Sequence, residues 1–241
     1  MVNFEQREVV RRLWGSSECW LGAQVRHAFL LDIQAGAMLP DPGVMEEQEI
    51  YNDIIQQQYP VSSENVTSYR LLLGIQWSLA FCPQAKWLLF VNEDHFVNPY
   101  NTISFLLSIS EAMRQRLVVG SVWYEPTEKV VEKVLFKATT KHEPKERYPT
   151  FVATSAMFVS PVLAPSIYLT MRYTELATHP DLFFAKVLLR LFLLPAHFDD
   201  IYAHDRKPIA EKLKERAIVF PCGGRHNQTK MWARLKCDKY C

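Results

Sequence analysis

Apolar and polar positions along this chain follow two periods, and the switches between them mark out the elements. Phe4 to Trp14 carries apolar residues at helical spacing and stops at Gly15, which predicts an amphipathic helix. Gln24 to Asp32 ends in the run Ala28-Phe-Leu-Leu-Asp32 and predicts a buried strand with a polar turn after it. Ala35 to Gly43, punctuated by Pro40 and Pro42, predicts a loop. The acidic, polar stretch Met45 to Gln58 predicts a short helix or strand at the surface. Ser63 to Phe81, apolar at Val66, Leu72, Leu73, Ile75, Trp77 and Leu79, predicts a long helix with one buried face. Lys86-Trp-Leu-Leu-Phe-Val91 is a continuous apolar run of strand length, halted by Asn92-Glu93-Asp94. Pro99 to Ser110 predicts a further helix and Leu117 to Trp123 a further strand.

Helices alternating with apolar strands argue for an α/β fold of βαβ units, with a mostly parallel sheet between helices. Ligands of such sheets bind beyond the carboxyl ends of the strands. Lys86 to Val91 is therefore expected to be a central strand that delivers the polar triplet to a cleft. No internal repeat or low-complexity segment divides the chain, so residues 1–241 are expected to form one domain.

Composition narrows the function. The 241 residues are 49% hydrophobic, enough for a sizeable core, and the net charge of +1 argues against a nucleic-acid partner. The longest strongly apolar stretch, Ala185 to Phe198, is interrupted by Lys186 and Arg190 and is shorter than the roughly 20 residues of a spanning helix. Its start is charged within a few residues, so no signal peptide or anchor is expected in the chain as read. Of five cysteines, Cys222, Cys237 and Cys241 crowd the last twenty residues, while Cys19 and Cys82 stand apart and no CxxC pair occurs. A late disulfide formed in a secretory compartment and free cytosolic thiols both remain open. Asn65-Val-Thr67 and Asn227-Gln-Thr229 are weak glycan-acceptor signals.

The chemistry concentrates after Val91. Clustered oxygen ligands at a strand end can hold a divalent cation against a diphosphate, although a solvated turn capping the next helix would look the same. Arg7 and Arg11, four apart on one helix face, could reach a phosphate or pair with acidic neighbours.

Several separated motifs then occur in a shared order. Arg7-x-x-Val10-Arg11-x-x-Trp14-Gly15 opens the series, followed by Glu49-Ile-Tyr-Asn-Asp-Ile-Ile55 with Asn65-Val-Thr67, and Cys82-Pro83-x-Ala85-Lys86. Phe96-Val97-Asn98, Gly120-Ser-Val122, Lys133 and Tyr148-Pro149 continue it. Together these resemble the beta-1,3-galactosyltransferase family, glycosyltransferase family 31, over roughly residues 4 to 200. The resemblance implies a GT-A fold, a Rossmann-like mixed sheet flanked by helices, with a nucleotide-sugar half over about 1–125 and an acceptor half over about 126–241. It also implies a hexosyltransferase that moves galactose or N-acetylhexosamine from a UDP-sugar, with Mn²⁺ and inversion, onto a glycan or glycoprotein hydroxyl in beta-1,3 linkage. The compartment it implies is the lumenal side of the Golgi membrane, reached through an anchor that lies outside this chain.

Residue by residue, the resemblance makes Asp181 the general base and Asp94 a metal ligand. Asn92, Glu93, Arg7, Arg11 and Lys133 fall on the donor side, and His226 is a second candidate metal ligand. The departures are specific. The family's D-D-D stands here as Asn92-Glu93-Asp94, which removes one charge from the cation's surroundings. The family's E-D-V is represented by Pro180-Asp181-Leu182, so Asp181 could equally be a carboxylate facing a helix N-terminus. The glycine-rich acceptor-side turn is here Ala153-Thr-Ser-Ala156. These changes keep open a non-catalytic relative that binds rather than transfers. A cytosolic nucleotide-binding protein is a more distant alternative.

Overall fold

The computed structural model describes residues 3–33, 41–57, 66–127, 148–177, 179–203 and 206–241. In chain order the first elements are α1 (Phe4–Arg12), β1 (Phe29–Asp32), α2 (Pro42–Tyr51), β2 (Ile54–Gln57), α3 (Val66–Phe81) and β3 (Leu88–Val91). Then come β4 (His95–Val97), α4 (Pro99–Ser108), α5 (Glu111–Arg114), β5 (Val118–Trp123) and β6 (Phe151–Val159). The last are α6 (Ala164–Arg172), α7 (Pro180–Arg190), β7 (Ala196–His197), α8 (Ala210–Glu215), β8 (Val219–Pro221) and α9 (Arg225–Leu235). This α/β chain forms two compact units, each assembled from separated stretches. One comprises Met1–Gln58, Val91–Ser110 and Asp200–Cys241, and the other Tyr59–Phe90 and Glu111–Asp199.

In the first unit β1 and β2 pair in parallel, Phe29 opposite Ile54 through Asp32 opposite Gln57, with α2 as the crossover of a βαβ unit. The strand begins at Phe29 rather than Gln24, since pairing with β2 starts at Phe29 opposite Ile54, and its four residues are only half-buried. Pro42 opens α2 instead of punctuating a loop. Asp41 caps the helix by accepting from the N–H groups of Gly43 and Val44, and proline suits the first helical position, whose N–H lacks a helical partner. β4 pairs antiparallel with β8, where buried Phe96 stacks on Phe220 at 5.3 Å and lies 6.1 Å from Trp232. A disulfide joins Cys19 to Cys241, and Cys82, Cys222 and Cys237 are free thiols. Burial pushes the Cys222 and Cys237 thiols up to about 11, which keeps both protonated near neutrality and slow to exchange with that disulfide.

The second unit carries a four-stranded sheet in the order β3-β6-β5-β7. It is mixed rather than mostly parallel, since β5 runs antiparallel to β6 and parallel to β7. An aromatic cross-strand pair, Trp123 stacked on Phe151 at 5.2 Å, fixes the antiparallel register. Among the described residues β3 ends the strand order instead of lying at its centre, and its four residues are only half-buried. The strand that sequence patterning missed is β6, nine residues long and almost wholly buried. The apolar stretch around Ala185 is α7, an amphipathic helix that buries Leu182, Phe183, Phe184, Ala185, Val187 and Leu188. Among the described residues no helix is long and apolar enough to cross a membrane.

Candidate functional site

The backbone at Asn92-Glu93-Asp94 is held from several directions within the first unit. The N–H of His95 donates to the Asn92 carbonyl at 3.0 Å, closing the turn. The Asp94 carbonyl accepts from the N–H groups of Cys222 and Gly223, at 2.9 and 2.8 Å. Gly223 has a φ of +80°, a conformation that a residue with a Cβ rarely adopts. The Glu93 carbonyl accepts from Gln228 Nε2 at 2.6 Å, and its carboxylate accepts from Asn3 Nδ2 at 2.7 Å. Asn3, at the N-cap of α1, is in the left-handed region and makes no side-chain cap there.

Around that fixed backbone the side chains are open. Asn92 and Asp94 are exposed, the Asp94 side chain to 55%. Buried His95 places Nδ1 2.6 Å from Asp94 Oδ1. That hydrogen bond holds the Asp94 carboxyl below its ordinary range, against the opposing effect of burial. His226 is exposed on the first turn of α9, three residues beyond Gly223.

Among the described residues no three His, Cys, Asp or Glu side chains converge into a ready-made metal cage. An open carboxylate beside an amide still suits a hard cation that takes one or two protein oxygens and completes its shell with phosphate oxygens and water. The donor set fits that kind of site.

Arg7 and Arg11 turn toward acids of their own unit. Arg7 Nε donates to Glu47 Oε1 at 2.8 Å, with a second bond from its NH2 to Glu47 Oε2. Arg11 reaches Glu47 at 2.7 Å and grips Asp53 through Nε and NH2, at 2.7 and 2.8 Å. Its guanidinium also lies 3.9 Å from the Tyr51 ring centre and 4.9 Å from that of Phe29. Burial alone would raise the Glu47 carboxyl, but the hydrogen bonds from Arg7 and Arg11 hold it below the ordinary range. Asp53 is lowered in the same way, against burial, by Arg11 and then His27.

In the second unit Asp181 lies in the first turn of α7, with its side chain 2% exposed. Its Oδ1 accepts from Thr154 on β6 twice, from the N–H at 2.9 Å and from the hydroxyl at 2.6 Å. The carboxylate thus ties helix to sheet. An open depression in the same unit is lined by Tyr124, Glu125, Thr127, Thr150 and Leu194. Lys133 and the acceptor Asn65 lie outside the described residues.

Compared with known proteins, residues 5–196 match the galactosyltransferase family. The chain belongs to that family. Human Beta-1,3-galactosyltransferase 1 is 29% identical over 204 residues, covering 80% of this chain and 58% of the relative. Human Beta-1,3-galactosyltransferase 9 is 26% identical over 195 residues, with 81% and 52% covered. A rat Lactosylceramide 1,3-N-acetyl-beta-D-glucosaminyltransferase is 29% identical over 177 residues, with 69% and 45% covered. The chain spans about half the length of the curated relatives it matches.

As a galactosyltransferase-family member of GT-A-type α/β fold, the chain carries the family match through Arg7, Arg11, the triplet and Asp181, but not as far as His226 or Gln228. The opening motif supplies ion pairs from its arginines and a tight stop at Gly15. A Cβ at Gly15 would lie 2.6 Å from the Val10 carbonyl oxygen. Sequence reasoning missed Thr154, His95, Asn3 and Gln228. His95 had a signal in its position directly after Asp94, and Thr154 in the small-residue stretch that stands for the acceptor-side turn.

Proposed function

We propose that the chain is the catalytic part of a hexosyltransferase, taking galactose or N-acetylhexosamine from a UDP-sugar to a glycan or glycoprotein hydroxyl in beta-1,3 linkage. The supporting observation is the open Asp94 carboxylate on a backbone-held turn inside the stretch that matches the galactosyltransferase family. In this reading Asn92 and Glu93 receive the donor nucleotide, Asp94 and His226 would hold Mn²⁺, and Lys133 contributes to the donor side, whereas Arg7 and Arg11 are engaged by Glu47 and Asp53 and support the fold beside it. Mn²⁺ bound there, together with donor phosphate oxygens, would place positive charge where the leaving diphosphate develops negative charge. The acceptor oxygen forms its bond to the anomeric carbon as the bond to UDP breaks, UDP leaves with the electron pair, and the configuration inverts. Asp181, oriented by Thr154, takes the hydroxyl proton.

The same reading assigns nucleotide-sugar binding to about residues 1–125 and acceptor binding to about 126–241. It puts the protein on the lumenal side of the Golgi membrane. The Cys19–Cys241 disulfide supports an oxidising compartment. Transfer from UDP-galactose and UDP-N-acetylglucosamine to a panel of glycan acceptors, with and without Mn²⁺, tests the reaction. Product with a new beta linkage supports it. UDP binding without transfer to any acceptor would instead assign a binding module.

A further inference from the structure

Gln228 is fully buried on α9, and its amide joins three segments remote in sequence. Oε1 accepts from Trp14 Nε1 at 3.0 Å, and Nε2 donates to the Glu93 carbonyl at 2.6 Å, with a longer contact to the Gly223 carbonyl at 3.4 Å. Gly223 is also one of the two N–H donors to the Asp94 carbonyl. One amide therefore ties the backbone just before Asp94 to the segment that holds Asp94 itself. A buried amide satisfied at both ends has one orientation, because rotating it would set its donors against the Trp14 N–H and its oxygen against the Glu93 carbonyl.

We infer that Gln228 is a positioning residue for the diphosphate end of the donor site: its amide fixes the Asn92–Asp94 turn in the shape that presents the Asp94 carboxylate to a cation and a nucleoside diphosphate. The inference rests on the donor-site reading above and extends it to a residue beyond the stretch that matches the family. Groups that orient a ligand from behind without touching the metal commonly change affinity by about 10- to 100-fold. Gln228 acts at the donor and leaves the acceptor untouched.

Three variants separate this role from general support of the fold. Gln228→Met keeps length and loses both hydrogen bonds. Gln228→Glu keeps the acceptor for Trp14 and loses the donor to Glu93. Trp14→Phe removes the bond to Trp14 and leaves the one to Glu93. UDP is titrated into each by calorimetry at saturating Mn²⁺, beside thermal melts and donor and acceptor KM values. Both Gln228 variants should weaken UDP about tenfold and raise donor KM with acceptor KM unchanged. Trp14→Phe should lower the melting temperature yet hold UDP affinity within about twofold. If Gln228→Met fails to fold, Gln228→Glu carries the same expectation. UDP affinity unchanged in a folded Gln228 variant, or weakened as much by Trp14→Phe, overturns the inference while leaving the donor site standing if Asp94→Ala still abolishes binding. An unaltered chain that binds no UDP overturns the donor-site reading, and this inference with it.

Discussion

Asp94 sits on a turn whose backbone is fixed by Cys222, Gly223 and Gln228 while 55% of its side chain stays exposed; Asp181 is 2% exposed, and its carboxylate itself does the fixing through two bonds from Thr154. At Asp94 the protein supplies donors to main-chain oxygens, ties Oδ1 to His95 and leaves the rest of the carboxylate exposed to a ligand. At Asp181 it spends donors on the charge, which a buried carboxylate requires. The first arrangement suits an ion or phosphate complex arriving from solvent. The second suits a group held in one place, either to join α7 to β6 or to take a proton from a hydroxyl brought to it.

The largest expected effect comes from breaking the covalent staple of the first unit alone. Cys19–Cys241 closes a separation of 222 residues, for which chain entropy sets an upper figure of about 5 kcal/mol. Reduction should sharply increase amide exchange at Cys222 and Gly223 while leaving the Thr154 amide protected. Equal loss of protection at both places would contradict independent support of the two carboxylates.

Changing Asp181 sharpens the other side. Asp181→Asn should reduce transfer by about 10³-fold with UDP affinity nearly intact, because a base acts at the acceptor. Asp181→Ala should also cost about 3 kcal/mol by stranding the Thr154 N–H and hydroxyl, while Asp94→Ala should cost less, about 1 kcal/mol, because it strands only the Nδ1 of His95. Denaturant titration of the two alanine variants checks the order. Equal costs would erase the contrast. Equal loss of UDP binding and turnover in Asp181→Asn would leave that residue only its structural tie.

A smaller effect is expected at Asn92, where restoring a carboxylate adds one charge to the cation's surroundings. Asn92→Asp should tighten Mn²⁺ by up to about tenfold. Unchanged Mn²⁺ affinity would move the metal away from the triplet.

The smallest and most gradual effect is the acid response of the first unit. Glu47, Asp53 and Asp94 all have folded pKa values below their ordinary carboxylate values. Their contribution to stability is complete above that range, near pH 4, and is lost as pH falls through the lowered folded values. Glu47→Gln should therefore flatten the acid limb of the stability curve. An unchanged limb would mean that the Arg7 and Arg11 pairs are not what acid breaks.

Parts of the fold were legible in the chain, but the opposite exposure of the two carboxylates was not. The apolar run from Lys86 to Val91 signals a strand, and β3 (Leu88–Val91) follows it, though among the described residues at the end of the strand order and not at its centre. Pro180-Asp181 reads as a helix start, and α7 begins there, capped by the His179 side chain. β6 was hidden because Ala153-Thr-Ser-Ala156 reads as a turn of small residues, yet those residues are packed in mid-strand. Burial depends there on neighbours that local pattern does not encode. The tie from Trp14 to Gln228 spans 214 residues, and Gln228 sits inside an N-x-T tripeptide that draws attention to its surface neighbour instead.

The central claim is that the Asn92–Asp94 turn is where a nucleoside diphosphate binds with its cation. Calorimetric titration of UDP with Mn²⁺ into the unaltered chain and into Asp94→Ala tests it most directly. The account predicts saturable, Mn²⁺-dependent binding by the unaltered chain and a loss of at least about 100-fold in the variant, with the fold retained. UDP binding of equal strength in both proteins would contradict it.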